Sequence, residues 1–195
     1  MSPRPRKVTD EQVFAATMRA MARLGPGELT LAEIATEAGV TAGALAQRFG
    51  SKRALLLALS RSAAEGSGDL IRNIRRTHAS PLAALREYAE CFAQLAESPG
   101  TLARSLAYLQ IDLSDPDFRV HLLAQSRATR DGIAELLVEA TSAGELASDT
   151  DPVRLARTVE AMLGGSLIAW ATYQEGPAAT WLRDDLDAVL APHLA

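Results

Sequence analysis

Apolar residues along this chain recur at intervals of three and four, the spacing that lines one face of an α-helix, and no sustained Val/Ile/Thr alternation suggests a strand. The tightest pattern runs from Thr30 to Leu59. Thr30 stands three residues ahead of Glu33, a capping box that predicts a helix opening at Leu31. Leu31, Ile34, Ala35 and Ala38 share one face of it, and Gly39 ends it by taking a left-handed cap at little cost. Val40 is an apolar plug in the turn, and Thr41 caps a second helix running roughly from Ala42 to Phe49. That helix turns Leu45 and Phe49 inward and Ala42, Gly43, Ala46, Gln47 and Arg48 outward. A third helix opens after Ser51 and packs Leu55, Leu56 and Leu59. Two short helices joined by a tight glycine turn, the second with a small, lightly charged outer face, predict a helix-turn-helix suited to a DNA major groove.

The flanking pattern supplies the rest of the fold. Thr9 and Gln12 form another capping box, and the helix to about Leu24 turns Val13, Phe14, Met21 and Leu24 inward. Thr17 falls in the same register, where its hydroxyl can bond back to the preceding turn. Gly25-Pro26-Gly27 closes this helix; it follows a helix and lacks a third glycine, so it is a turn and no phosphate loop. The helix from Lys52 is expected to break at Gly66-Ser67-Gly68 and to resume after a kink as far as His78. Ser80-Pro81, Pro99-Gly100, Ser114-Asp115-Pro116 and Asp151-Pro152 punctuate the helices that follow. One inward stripe contains Leu82, Leu85, Ala89, Phe92 and Leu95, and the next Leu102, Leu106, Leu109 and Leu113. A long third helix carries Phe118, Leu122, Ile133, Leu136 and Leu137, with Ser126 and Thr129 in the same register. The prediction is an all-α chain: a three-helix, helix-turn-helix DNA-binding domain over 1–60 and a helical bundle over 61–195.

One segment is apolar on every side. From Ala161 to Tyr173 no residue carries a charge, and a helix apolar all round must be covered all round. With few other elements to cover it, and with Gly164, Gly165 and Ala169 permitting close approach, a second copy of the chain is the economical cover. The last helix, Trp181 to about Leu190, is amphipathic. The last two helices are therefore expected to pair across a two-fold axis, giving a homodimer.

Charge sharpens this picture. The chain of 195 residues carries a net −4, which at first disfavours nucleic acid. Nine basic against six acidic side chains, however, leave the first 65 residues at +3 and the remainder at −7, a basic reader on an acidic body. Arg4, Arg6 and Lys7 form a basic arm ahead of the first helix, either lying along a minor groove or remaining a tail. No run reaches the ~20 apolar residues that span a bilayer, and the proline-containing start is not a signal peptide, so a cytoplasmic protein without membrane attachment is expected. The lone Cys91 excludes an internal disulfide and any multi-cysteine zinc site. An enzyme is disfavoured: there is no Glu-x-x-His pair, H-E-x-x-H, Walker lysine or G-x-S-x-G, so no catalytic residue, metal or cofactor is assigned.

Leu29-Thr30, Ile34-Ala35, Ala38-Gly39-Val40-Thr41, Gly43, Leu45, Phe49, Ser51-Lys52 and Leu55 together resemble the TetR family of bacterial transcriptional regulators. The resemblance covers the first quarter to third of the chain. It departs at Ala46, where the family usually carries an aromatic residue, which shifts the burden of contact to Gln47 or Arg48. For DNA, Thr41 and Lys52 are the expected phosphate contacts, with Ala42, Gly43, Gln47 and Arg48 facing bases. The partner is then a double-stranded palindromic operator read by two protomers. The resemblance further implies a repressor released when the larger domain binds a small apolar or aromatic effector. Tyr88, Cys91, Phe92, Leu106, Tyr108, Leu109, Leu122, Ser126, Met162, Leu163, Trp170 and Tyr173 are either plain core or the lining of that pocket. The alternative is a DNA-binding adaptor whose helical body takes a protein partner in place of a small molecule.

Overall fold

The computed structural model describes residues 8–195. Arg4, Arg6 and Lys7, and with them the expected arm, lie outside the described residues. Among the described residues nine α-helices follow in order: α1 Asp10–Arg23, α2 Leu31–Ala38, α3 Ala42–Phe49, α4 Lys52–Thr77, α5 Pro81–Ala93, α6 Pro99–Ser114, α7 Pro116–Ser142, α8 Pro152–Tyr173 and α9 Ala178–Leu190.

Capping explains where the first helices begin. Thr9, Thr30, Thr41 and Ser51 each accept a hydrogen bond from the backbone N–H three residues on, satisfying one of the free donors at a helix start. Gly39 ends α2 at φ 68°, a left-handed conformation that favours glycine. Val13, Ala20, Leu29, Ile34, Leu45 and Leu55 form a small core among α1–α4, covered from α6 by Tyr108, and Thr17 within it donates to the Val13 carbonyl at 2.8 Å. This is the reader.

The body is built on longer helices. Its main core gathers Ile71 and Ile74 of α4, Leu85 of α5, Ile133, Leu136 and Leu137 of α7, Val159 and Leu163 of α8, and Leu182 and Leu186 of α9. Glu145, in the α7–α8 loop, accepts from the Ser80 hydroxyl and the Leu82 N–H, so a carboxylate sits at the positive end of α5. Ser166, buried on α8, donates to Asp185 of α9 at 2.5 Å.

Two expectations change. α4 runs unbroken through Gly66-Ser67-Gly68. Two glycines cost a helix about 2 kcal/mol, but α4 packs along α7, with Ile71 against Gly132, and that burial outweighs their propensity. One continuous helix thus carries the chain across residue 60, from reader to body. The α6 stripe also rotates: Leu102 and Tyr108 are buried, whereas Leu106 and Leu113 are exposed. The reason is that α6 packs on α1 as well as on α7, and Tyr108 faces α1.

Candidate nucleic-acid interface

The outer surface of α3 follows from helical arithmetic. With about 100° between successive residues, Gly43 and Gln47 point directly away from buried Leu45, with Ala44 and Ala46 on either flank. All four are exposed. Ala42 and Arg48 lie on the inward flanks. Ala42 is half-buried against the reader core. Arg48 donates to the Val8 carbonyl at 2.7 Å, pairs with Asp10, and lies over the Phe49 ring at 5.5 Å. Of the expected base-facing set, the structure turns Arg48 toward α1 and Ala42 toward the core, and it leaves Gly43 and Gln47 on the outer surface together with Ala44. The 100° rule applied to Leu45 places Ala44 on the outer flank and Arg48 on the inner one.

The two expected phosphate contacts divide. Thr41 is exposed, and its oxygen accepts the Ala44 N–H at 3.1 Å, leaving its own proton to donate. Lys52 folds back, its ammonium donating to the Pro26 and Leu29 carbonyls at 3.1 and 2.7 Å. It fastens the α1–α2 turn to the start of α4, and two of its three donors are used there.

Other reader cations carry acidic neighbours. Arg19 bonds Glu37 at 2.7 Å, and Arg23 reaches Glu33 and Glu37. The Arg19 guanidinium, together with Arg23 and against partial desolvation, leaves the Glu37 carboxyl below the usual carboxylate range. Arg53 grips Asp115 and Asp117 at the start of α7, at 2.8 and 2.9 Å, and lies over the Phe118 ring at 5.4 Å. Its hydrogen bonds hold the Asp115 carboxyl low.

A second latch joins reader and body. The Tyr108 hydroxyl donates to the Leu24 carbonyl at 2.9 Å, and Arg104 donates to the Ala22 carbonyl at 2.7 Å. Two side chains of α6 thus satisfy carbonyls at the C-terminal end of α1, where the helix leaves acceptors free. Burial pushes the Tyr108 phenol up to about 12. Beside it a small cavity of about 40 Å³ is lined by Met21, Leu56, Tyr108, Phe118 and Asp112, and burial raises the Asp112 carboxyl.

The expected effector-pocket residues do not all meet. Tyr88, Leu163 and Trp170 belong to the body core, with Cys91, Phe92 and Met162 packed against it. Leu109, Leu122 and Ser126 are half-buried. Tyr88 and Phe92 lie 6.4 Å apart, and burial raises the Tyr88 phenol despite a hydrogen bond with Thr129. Burial and Glu87 raise the Cys91 thiol, which makes it a packing residue with little thiolate character. Three candidates fall elsewhere. Tyr108 belongs to the reader latch, Leu106 is exposed, and Tyr173 is 65% exposed and stacked on Trp181 at 5.8 Å. Trp170 spends its indole N–H on the Gly176 carbonyl, holding the α8–α9 turn.

A capped helix-turn-helix with one uncharged outer face, joined through a continuous helix to a larger helical body, defines a DNA-binding transcriptional regulator. Residues 13–59 match the profile of the bacterial regulatory proteins of the tetR family. The chain is 27% identical, over 197 aligned positions, to the HTH-type transcriptional regulator TtgR of Pseudomonas putida, spanning 95% of this chain and 94% of that one. Residues 13–59 thus carry the DNA-binding module of that family, and the similarity to TtgR extends along nearly the whole chain. Solved structures share the fold: SmeT, the repressor of the Stenotrophomonas maltophilia multidrug efflux pump SmeDEF, superposes with a TM-score of 0.68 at 23% identity, covering 97% of this chain and 92% of that one. FadR of Bacillus subtilis in complex with stearoyl-CoA superposes with a TM-score of 0.71 at 19% identity, covering 94% and 98%. Among the described residues no helix is long and apolar enough to cross a membrane.

Proposed function

We propose that the chain is an effector-responsive repressor that binds a palindromic operator as a homodimer through α8 and α9. The dimer reading is supported by an exposed strip on α8. Ala161, Gly164, Gly165, Ile168 and Thr172 are uncharged and bare, and no Cβ added at either glycine would meet a neighbour. Such a surface lets two backbones approach closely.

Release by a small apolar or aromatic molecule is supported by the two latches. Movement of α6 or α7 on effector binding would pull Arg104 and Tyr108 on α1 and Asp115 on Arg53, shifting one reader relative to the other. Tyr88, Phe92 and Met162, with Thr129 as the polar neighbour of Tyr88 and Ser126 one turn before Thr129 on α7, are the side chains we assign to the effector. SmeT, alike in fold, represses a multidrug efflux pump, and FadR was solved with an acyl-CoA; both support an apolar molecule as the effector of this chain. The effector must favour the arrangement that does not bind DNA, since equal affinity for both arrangements shifts nothing.

The observation that carries the reading is the pair of latches joining α6 and α7 to the reader. The test is operator binding by the full chain while a panel of apolar and aromatic compounds is titrated. Release by a compound that also raises the melting temperature supports the proposal. A compound that binds the body and leaves operator affinity unchanged contradicts it.

A further inference from the structure

We infer that the half-site read by α3 is specified by A·T pairs, with Gln47 reading adenine and the methyl groups of Ala44 and Ala46 reading thymine; this rests on the DNA-binding reading above. The direct route to guanine is a guanidinium or ammonium held at O6 and N7 in the major groove. The only cation on α3 is Arg48, and it is held by the Val8 carbonyl, the Asp10 carboxylate and the Phe49 ring on the flank away from the groove. Lys52, the next cation along the chain, is bound to the Pro26 and Leu29 carbonyls. What α3 presents outward is one carboxamide, two methyl groups and the bare backbone at Gly43.

The chemistry of that surface is selective. A carboxamide accepts from adenine N6 while donating to N7, a two-bond match to one base. A methyl group has no polar atom to offer and packs best against the 5-methyl of thymine, the one apolar feature in the major groove. Gly43 matters because a side chain there would hold the helix away from the base edges. No described acidic side chain of α3 is available to accept from cytosine N4, since the helix has none.

The experiment is selection of bound duplexes from a random pool with the full chain at moderate ionic strength, followed by affinity measurements on the recovered site. An inverted repeat with fixed A·T positions in each half-site is expected. Gln47→Ala should relax one adenine position per half-site and weaken binding there by about 5- to 150-fold. Replacing the neighbouring thymines by uracil removes only the 5-methyl group and should weaken the unaltered protein by about four-fold per methyl contact. The uracil swap also separates α3 from an N-terminal arm, because the minor groove does not display that methyl. Arg48→Ala should leave the selected bases unchanged. If the recovered inverted repeat is fixed by guanine and that preference disappears in Arg48→Ala, the inference is overturned while the regulator reading stands. If no inverted repeat is recovered, the regulator reading falls and takes the inference with it.

Discussion

The reader and the body of this chain reach a buried core by different routes. In the reader, four short starts are each fixed by a hydroxyl cap, and Val13, Leu29, Ile34, Leu45 and Leu55 form a small core apart from that of the body, joined from α6 by Tyr108. Three of its cations are tied locally, Arg19 and Arg23 to α2 and Arg48 to the start of α1, while Arg53 reaches across to α7. In the body, helices of 26, 27 and 22 residues share one large core, yet α8 leaves an uncharged strip with Ile168 50% exposed. A unit finished within one chain can be read residue by residue from local rules, whereas a unit with a bare apolar face needs something outside itself to explain it.

The largest expected effect comes from charging that bare face. Ile168→Glu should leave the helical content intact, because the position is exposed, but should yield a monomer in sedimentation. Operator affinity should then fall by about 100-fold or more, since the two readers no longer act together. A variant that stays dimeric and binds normally would move the interface off α8.

Next in size is a cavity in the reader. Leu45 is 2% exposed, and Leu45→Ala should cost about 2–5 kcal/mol. Because the reader core is separate from the body core, chemical denaturation should show loss of DNA binding before the helix signal of α5–α9 collapses. A single concerted transition would mean that the latches fuse the two cores into one folding unit.

Smaller effects test the seams between elements. Gln174 caps α8 at φ 55°, a left-handed conformation unfavourable to a residue with a side chain. Gln174→Gly should stabilise the chain by about 1 kcal/mol, read as a rise in melting temperature. At the reader–body junction, burial raises the Asp112 carboxyl, so the folded chain retains its proton to higher pH than the unfolded chain. The contribution of this group to stability therefore falls as pH climbs from the unfolded carboxylate value through the raised folded one. Asp112→Asn should raise the melting temperature at pH 7 and leave it unchanged at about pH 3, where the carboxyl is largely protonated in both forms. A gain equal at both pH values would assign the effect to packing.

How much was legible in the sequence follows the same division. Thr30, Gly39, Thr41 and Ser51 mark their helix boundaries correctly because a cap is a contact within three residues and needs no tertiary information. Gly66-Ser67-Gly68 misled for the opposite reason: the continuity of α4 is decided by its packing along α7, more than sixty residues away in sequence. Leu106 and Leu113 have the right spacing but the wrong face, because α6 answers to α1 and α7 together. Arg48 was legible in principle, lying about 60° from Leu45 on an ideal helix, although its partners Val8 and Asp10 could be named only from the fold. Tyr108 carried an apolar ring in core register, and nothing local distinguished a pocket wall from a latch onto Leu24.

Two readers held at a fixed separation by the body are the centre of this account, and operator spacing tests it most directly. Base pairs inserted between the recovered half-sites of the inverted repeat, one at a time, rotate and displace one half-site relative to the other. The account predicts that insertion of about five base pairs, half a helical turn, reduces affinity to that of a lone half-site. Affinity indifferent to the insertion would contradict it.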